Sequence, residues 1–117
     1  MRIVVTGGRD FADAGVVDRA LSAVQAKRGI TVLIQGGADG ADRLCAEWCR
    51  GHGIPVTTYN ADWRTQGKAA GPIRNQRMID EGRPDGAIAF PGGRGTADMV
   101  ARLHQSNVTV WDLRAGR

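Results

Sequence analysis

The stretch Ala87-Ile88-Ala89-Phe90-Pro91-Gly92-Gly93-Arg94-Gly95-Thr96-Ala97-Asp98-Met99 decides how the rest of the chain reads. An apolar run of strand length stops at Pro91, passes through three glycines and restarts at Thr96. Thr96 is a suitable N-cap, with Ala97-Asp98-Met99-Val100 as the first helical turn behind it. Glycines let a backbone approach a ligand closely, and a helix N-terminus offers unpaired N–H groups at the positive end of a dipole. A strand, a glycine turn and a helix start in that order make an anion site, most naturally for a phosphate.

The same grammar occurs twice more. Ile3-Val4-Val5-Thr6 runs into Gly7-Gly8-Arg9-Asp10, and Val32-Leu33-Ile34-Gln35 runs into Gly36-Gly37-Ala38-Asp39-Gly40. In a parallel sheet the three turns would share one edge, where open α/β folds bind ligands. The plainer alternative is a set of ordinary tight strand-to-helix turns.

Working outward, residues 2–6 read as a buried strand. A helix over about 13–28 carries Val17, Ala20, Leu21 and Val24 at helical spacing and stops at Gly29. A second strand is expected over 31–35. The helix after it, over about 38–52, has Ala41, Leu44, Cys45, Trp48 and Cys49 as its apolar stripe. A modest strand over 55–59 follows, and 60–71 is the longest irregular stretch, holding Asp62, Trp63, Arg64 and Lys68. Pro72 suits the first turn of a helix reaching about Glu81. A strand over 86–90, a helix over 96–105, a strand over 108–111 and a short tail over 113–117 complete the chain. Strands alternating with helices predict a three-layer α/β domain with a parallel sheet of about five strands. A loop of that length in such a domain is more often functional than idle.

The bounds agree. A chain of 117 residues fits one domain over 1–117, and 42% hydrophobic with 24% charged residues is globular composition. Net charge is +4 without a basic run, so an anionic partner is admitted but a nucleic-acid-binding tail is not. No apolar stretch reads as a signal peptide or membrane span, and two cysteines make no disulfide framework. A cytoplasmic protein, with no membrane partner, is the expectation.

Familiar phosphate fingerprints are absent. Gly67-Lys68 is followed by Ala69, so there is no Walker motif, and the first turn lacks G-x-G-x-x-G. Cys45, Cys49 and His52 lie at i, i+4 and i+7, but the apolar stripe already explains both cysteines and no second ligand cluster exists. No metal or cofactor is therefore expected, and His104 reads as a solvated histidine. Arg74, at a helix start among Lys68, Asn75 and Arg77, reads either as part of a solvated basic face or as a cation directed at the anion of the glycine turns. Asp39, Asp42 and Asp98 each follow a glycine turn. They read equally as helix-dipole partners or as hydrogen-bond acceptors for a ribose.

These residues together resemble the SLOG superfamily, and within it the cpYpsA-related, YspA-like members. The resemblance rests on Thr6-Gly7-Gly8-Arg9, Gly36-Gly37-Ala38-Asp39-Gly40-Ala41-Asp42, Ala61-Asp62-Trp63, the run from Gly67 to Asn75, and Pro91 to Asp98. It implies a Rossmann-like fold, a nucleotide or nucleotide-derived ligand, and a homo-oligomer. The ligand would be held by Gly7, Gly8, Arg9, Gly36, Gly37, Asp39, Asp42, Arg74, Asn75, Pro91, Gly92, Gly93, Arg94, Gly95 and Thr96. The superfamily also contains LOG-type enzymes, which cleave cytokinin ribotides to base and ribose phosphate. Their P-G-G-x-G-T-x-x-E motif falls on Pro91 to Met99, and their arginine on Arg74. Their glutamate falls on Met99, whose thioether neither stabilises an oxocarbenium-like ribosyl centre nor acts as a base.

Three functional readings result. The leading one is a nucleotide-binding module, such as a sensor or sequestering protein for a signalling nucleotide. The second is an N-glycosidic hydrolase using Asp98 or Asp42 in place of the missing glutamate. The third is single-stranded nucleic-acid binding, which the scarcity of aromatic residues outside Trp63 argues against.

Overall fold

A computed structural model describes residues 1–114; positions 115–117, part of the tail, lie outside the described residues. Five strands, β1 (Arg2–Thr6), β2 (Val32–Gln35), β3 (Val56–Thr58), β4 (Gly86–Ala89) and β5 (Thr109–Asp112), form one parallel sheet in the order β3-β2-β1-β4-β5. Val4 pairs in register with Ile34 on one side and Ala87 on the other. The central strands are continuous apolar runs because both faces are covered, as parallel sheets require. This is the Rossmann-like arrangement of an α/β protein.

Helices α1 (Ala14–Lys27) and α2 (Ala41–Gly51) cover one face. Val17, Ala20, Leu21, Cys45 and Cys49 meet Ile3, Val5, Leu33, Ile88 and Phe90 there. A short helix α3 (Trp63–Gln66), a 3-10 turn (Gly67–Ala69), α4 (Ala70–Asp80) and α5 (Arg94–Gln105) follow. On the second face Met78, Ile79, Met99 and Leu103 pack on Val4, Val32, Ile34 and Ala87. The chain first steps outward from β1 through β2 to β3 and then crosses back to β4 on the far side of β1. That reversal places the carboxyl ends of β1 and β4 at the sheet's switch point, where the two turns diverge and leave a crevice. No helix among the described residues is long and apolar enough to cross a membrane.

Three expectations are corrected. Residues 60–71 are not irregular: Asp62 caps α3 by accepting from the Thr65 N–H at 3.2 Å, and the 3-10 turn runs directly into α4. Arg74 consequently lies in the second turn of its helix, not at its start. The helix expected from 38 begins at Ala41, because Gly40 at φ +73° breaks helical geometry. The last helix begins at Arg94 with Gly93 as its N-cap, so Thr96 is a buried first-turn residue and not the cap.

Candidate functional site

Gly8 joins the three glycine turns. Its N–H donates to the Pro91 carbonyl at 2.8 Å, and its own carbonyl accepts from the N–H groups of Phe11 and Ala41 at 3.2 and 3.1 Å. A Cβ on Gly8 would lie 3.0 Å from Gly92 Cα and 3.1 Å from the Pro91 oxygen. One on Gly7 would press on Ala41 and Phe90, one on Gly40 on the Gly8 carbonyl, and one on Gly92 on Thr96 and the Gly8 nitrogen. Most of these glycines are therefore required by the neighbouring turn. Gly93 and Gly95 differ, since a Cβ at either would meet nothing within 4 Å.

The three helix starts also differ in what they leave open. Ahead of α1, Asp13 accepts from the Val16 N–H at 3.1 Å. At α2 the Gly8 carbonyl takes the Ala41 N–H, and Asp42 Oδ2 accepts from Gly36 and Ala38 at 3.2 and 3.3 Å. At α5 the first intrahelical bond is Ala97 N–H to Gly93 O, at 3.0 Å. The N–H groups of Arg94, Gly95 and Thr96 have no partner among the described residues, as the first turn of a helix requires unless something caps it.

A cavity of about 640 Å³ lies against this open turn. Gly8, Arg9, Gly93, Arg94, Gly95 and Thr96 line it on one side, and Trp63, Lys68, Arg74 and Asn75 on the other. A second cavity of about 320 Å³ adjoins the β2–α2 turn, lined by Gly36, Gly37, Ala38, Asp39, Asn60 and Ala61. Arg9, Trp63 and Arg74 border both, so the two are chambers of one cleft. The Arg9 guanidinium sits over the Trp63 ring, 5.8 Å from its centroid.

Arg74 divides the chambers. Its Nη1 donates to the Gly36 carbonyl at 2.6 Å and its Nε to Asn75 Oδ1 at 3.1 Å, while Nη2 has no hydrogen-bond partner among the described residues. Burial lowers its proton affinity, Asp42 opposes that and Arg9 adds to it. Asn75 is buried and ties α4 to α5, its Nδ2 donating to Gly95 O at 3.2 Å and Asp98 Oδ2 at 3.0 Å.

The acidic candidates part company. Asp98 lines the larger chamber, and Arg102 Nε donates to the same Oδ2 at 2.8 Å. Burial pushes its carboxyl up, but the hydrogen bonds from Arg102 and Asn75 outweigh this and hold it below its ordinary range. Asp42 sits behind the β2–α2 turn, pushed up to about 6 by burial against the Ala38 N–H, the Arg74 charge and the Gly36 N–H. Asp39 lines the smaller chamber. Four of the sequence candidates lie on neither chamber: Gly7, Asp42, Pro91 and Gly92. Sequence reasoning missed Asn60, whose one signal was its place just beyond a short strand.

Met99, on the inner side of α5, is fully buried against the sheet. Cys45 and Cys49 are buried free thiols in the other core cluster. His52 turns from them and stacks on Trp48, with ring centroids 3.8 Å apart.

A Rossmann-like sheet with a cleft bordered by arginines at its carboxyl edge defines the class. The chain belongs to the YspA, cpYpsA-related SLOG family, whose model matches residues 1–65. It is similar to the Gene 61 protein of Mycobacterium phage D29, at 35% identity in an alignment that covers 93% of each chain. Among solved structures it is similar to phosphoribosylglycinamide formyltransferase from Bacillus halodurans, at 16% identity and a TM-score of 0.49. That match covers 94% of this chain and 54% of the formyltransferase chain.

Proposed function

We propose that the protein, acting as one domain over 1–117, binds a phosphate-bearing nucleotide or nucleotide-derived ligand in the two-chambered cleft. The observation that carries this reading is the uncapped first turn of α5, facing a cavity bordered by Arg9, Lys68, Arg74 and Arg94. The phosphate sits on the N–H groups of Arg94, Gly95 and Thr96, with the Arg74 Nη2 and Lys68 beside it. The nucleoside lies across Trp63 toward the β2–α2 turn, where Asp39 and Asn60 supply acceptors for ribose or base. Family membership and the Rossmann-like fold are compatible with such a ligand. Signalling by binding or sequestration, in the cytoplasm, fits this arrangement.

Calorimetric titration with nucleoside monophosphates and the matching nucleosides tests the reading. Nucleotides should bind and nucleosides should be weaker by roughly ten- to a hundredfold, the worth of charge-assisted hydrogen bonds to phosphate. Equal affinities would refute the phosphate role. One observation favours a second reading, N-glycosidic hydrolysis: Asp98, held ionised, borders the same chamber. Chromatographic assay for free base separates the two, and native turnover lost in Asp98→Asn would replace binding by catalysis.

A further inference from the structure

The face of the sheet that carries α1 and α2 is not fully covered. Both helices lie over β3, β2, β1 and the inner edge of β4, whereas β5 receives a helix only on its other face, from α5. Along the uncovered half runs an apolar groove between α1 and β5. Its first part is a cavity of about 600 Å³ floored by Ile3, Gly86 and Ile88 and walled by Ala23, Val24 and Trp111. Its second part, about 490 Å³, is lined by Phe11, Val16, Ala20, Pro91 and Leu113, and Trp111 belongs to both. Gly86 deepens the floor, since a Cβ there would meet Met1 Cε at 3.1 Å. Trp111 is 43% exposed, at mid-groove. The groove follows α1, 14 residues long, so it runs for about 21 Å.

The rim is mostly basic, with three cationic side chains to one acid. Lys27 and Arg28 border the first cavity and Arg19 the second. None of the three forms an ion pair with a described residue. The rim's acid, Asp13, already accepts from the Val16 N–H as the cap of α1. Depth, length and charge together describe the complement: an apolar stripe of helical spacing with carboxylates along its flank.

We propose that this groove docks an amphipathic, acid-flanked helix of a partner protein, lying beside α1 over β5, the strand that this face leaves exposed at Thr109 and Trp111. Trp111 is the anchor, and Arg19, Lys27 and Arg28 set the partner's charge. In a two-fold contact centred on Trp111, Lys27 and Arg28 would face the end of the second copy that carries Arg19 and Asp13, a mixed edge and not the acidic one this rim calls for. The groove shares no lining residue with the nucleotide cleft, so the proposal does not rest on the ligand.

The test uses two synthetic amphipathic helices sharing one leucine stripe, one flanked by glutamates and the other by lysines, each labelled for fluorescence anisotropy. The glutamate peptide should bind roughly tenfold or more tightly than the lysine peptide, and Trp111→Arg should weaken it by a similar factor. The exposed Trp111 makes that variant compatible with folding, which circular dichroism checks. Lys27→Glu combined with Arg28→Glu, changes confined to the surface, should reverse the peptide preference. Absent binding, equal affinity for both peptides, or binding indifferent to Trp111→Arg and to the charge reversal would overturn the proposal. So would a concentration-dependent dimer in sedimentation that Trp111→Arg abolishes, since that assigns the groove to a second copy.

Discussion

Replacing Asp42 by Asn should make the protein's stability less dependent on pH, with a computable size and sign. Asp42 is buried, and both backbone N–H donors reach a single oxygen, Oδ2, which an asparagine amide oxygen can replace. Its carboxyl titrates near 6 in the fold against 3.8 ordinarily. Below the lower value it is protonated in both states, and the favourable contribution of the neutral, buried form is fully present. As pH rises, the unfolded chain releases its proton first. The contribution is lost progressively until the folded carboxyl has also ionised. At about 1.4 kcal/mol per pH unit, the whole loss is about 3 kcal/mol. Urea unfolding of the native protein and Asp42→Asn, from about pH 4 to about pH 7.5, reads it directly. The variant should gain up to about 3 kcal/mol relative to the native chain across that range, whatever constant offset the amide introduces. A flat difference, or one moving in favour of the native chain as pH rises, would refute the assignment of Asp42 as a desolvated carboxyl.

Gly8→Ala and Gly92→Ala should each destabilise the protein by about 1–3 kcal/mol in urea titration, because their methyl groups would enter backbone of the adjoining turn. Gly93→Val, whose Cβ meets nothing within 4 Å, should leave stability within about 1 kcal/mol while weakening nucleotide binding roughly tenfold or more. Met99→Glu should cost about 3 kcal/mol or more, because it puts a carboxylate among Val4, Ile34 and Leu103, and it should release no free base in a chromatographic assay. Cys45→Ser with Cys49→Ser should lower the melting temperature, at about 1–3 kcal/mol for each hydroxyl buried without a partner, and leave nucleotide affinity unchanged. In the native protein burial raises both thiols, Cys49 to about 11, so a thiol reagent at neutral pH should label them only as the chain unfolds.

The parts of the fold legible in the sequence are those with a periodic apolar signal. Ile3-Val4-Val5 is buried on both faces and reads as a strand without help, and α1 announces itself through Val17, Ala20 and Leu21, with Gly29 at φ +75° behind it. Helix α3 buries none of its residues, so it leaves no periodicity, and only its cap Asp62 hints at it. The candidate site was legible as a neighbourhood of turns and not as a mechanism. Three Gly-Gly turns do meet at one edge, but composition cannot tell a glycine that a ligand requires from one that the next loop requires. Gly7, Gly8, Gly40 and Gly92 belong to the second kind, and only geometry separates them from Gly93 and Gly95, where the fold leaves room for a Cβ. Asp42 and Asp98 look alike in sequence, yet one is turned into the β2–α2 turn and the other borders the cleft in a pair with Arg102. Aligning Met99 with a catalytic carboxylate likewise assumed a side chain at the site, where the fold places it in the core.

The first turn of α5 is the proposed seat of the phosphate. Amide nitrogen–proton NMR, with nucleoside monophosphate titrated into the labelled protein, tests it most directly. The amide signals of Arg94, Gly95 and Thr96 should move furthest. Those of Ala41 and Val16, whose N–H groups the fold already pairs, should move little. The matching nucleoside should shift residues near Trp63 and the β2–α2 turn while leaving the α5 amides in place. Saturable nucleotide binding that leaves Arg94, Gly95 and Thr96 unmoved, or moves them equally with nucleoside, would contradict it.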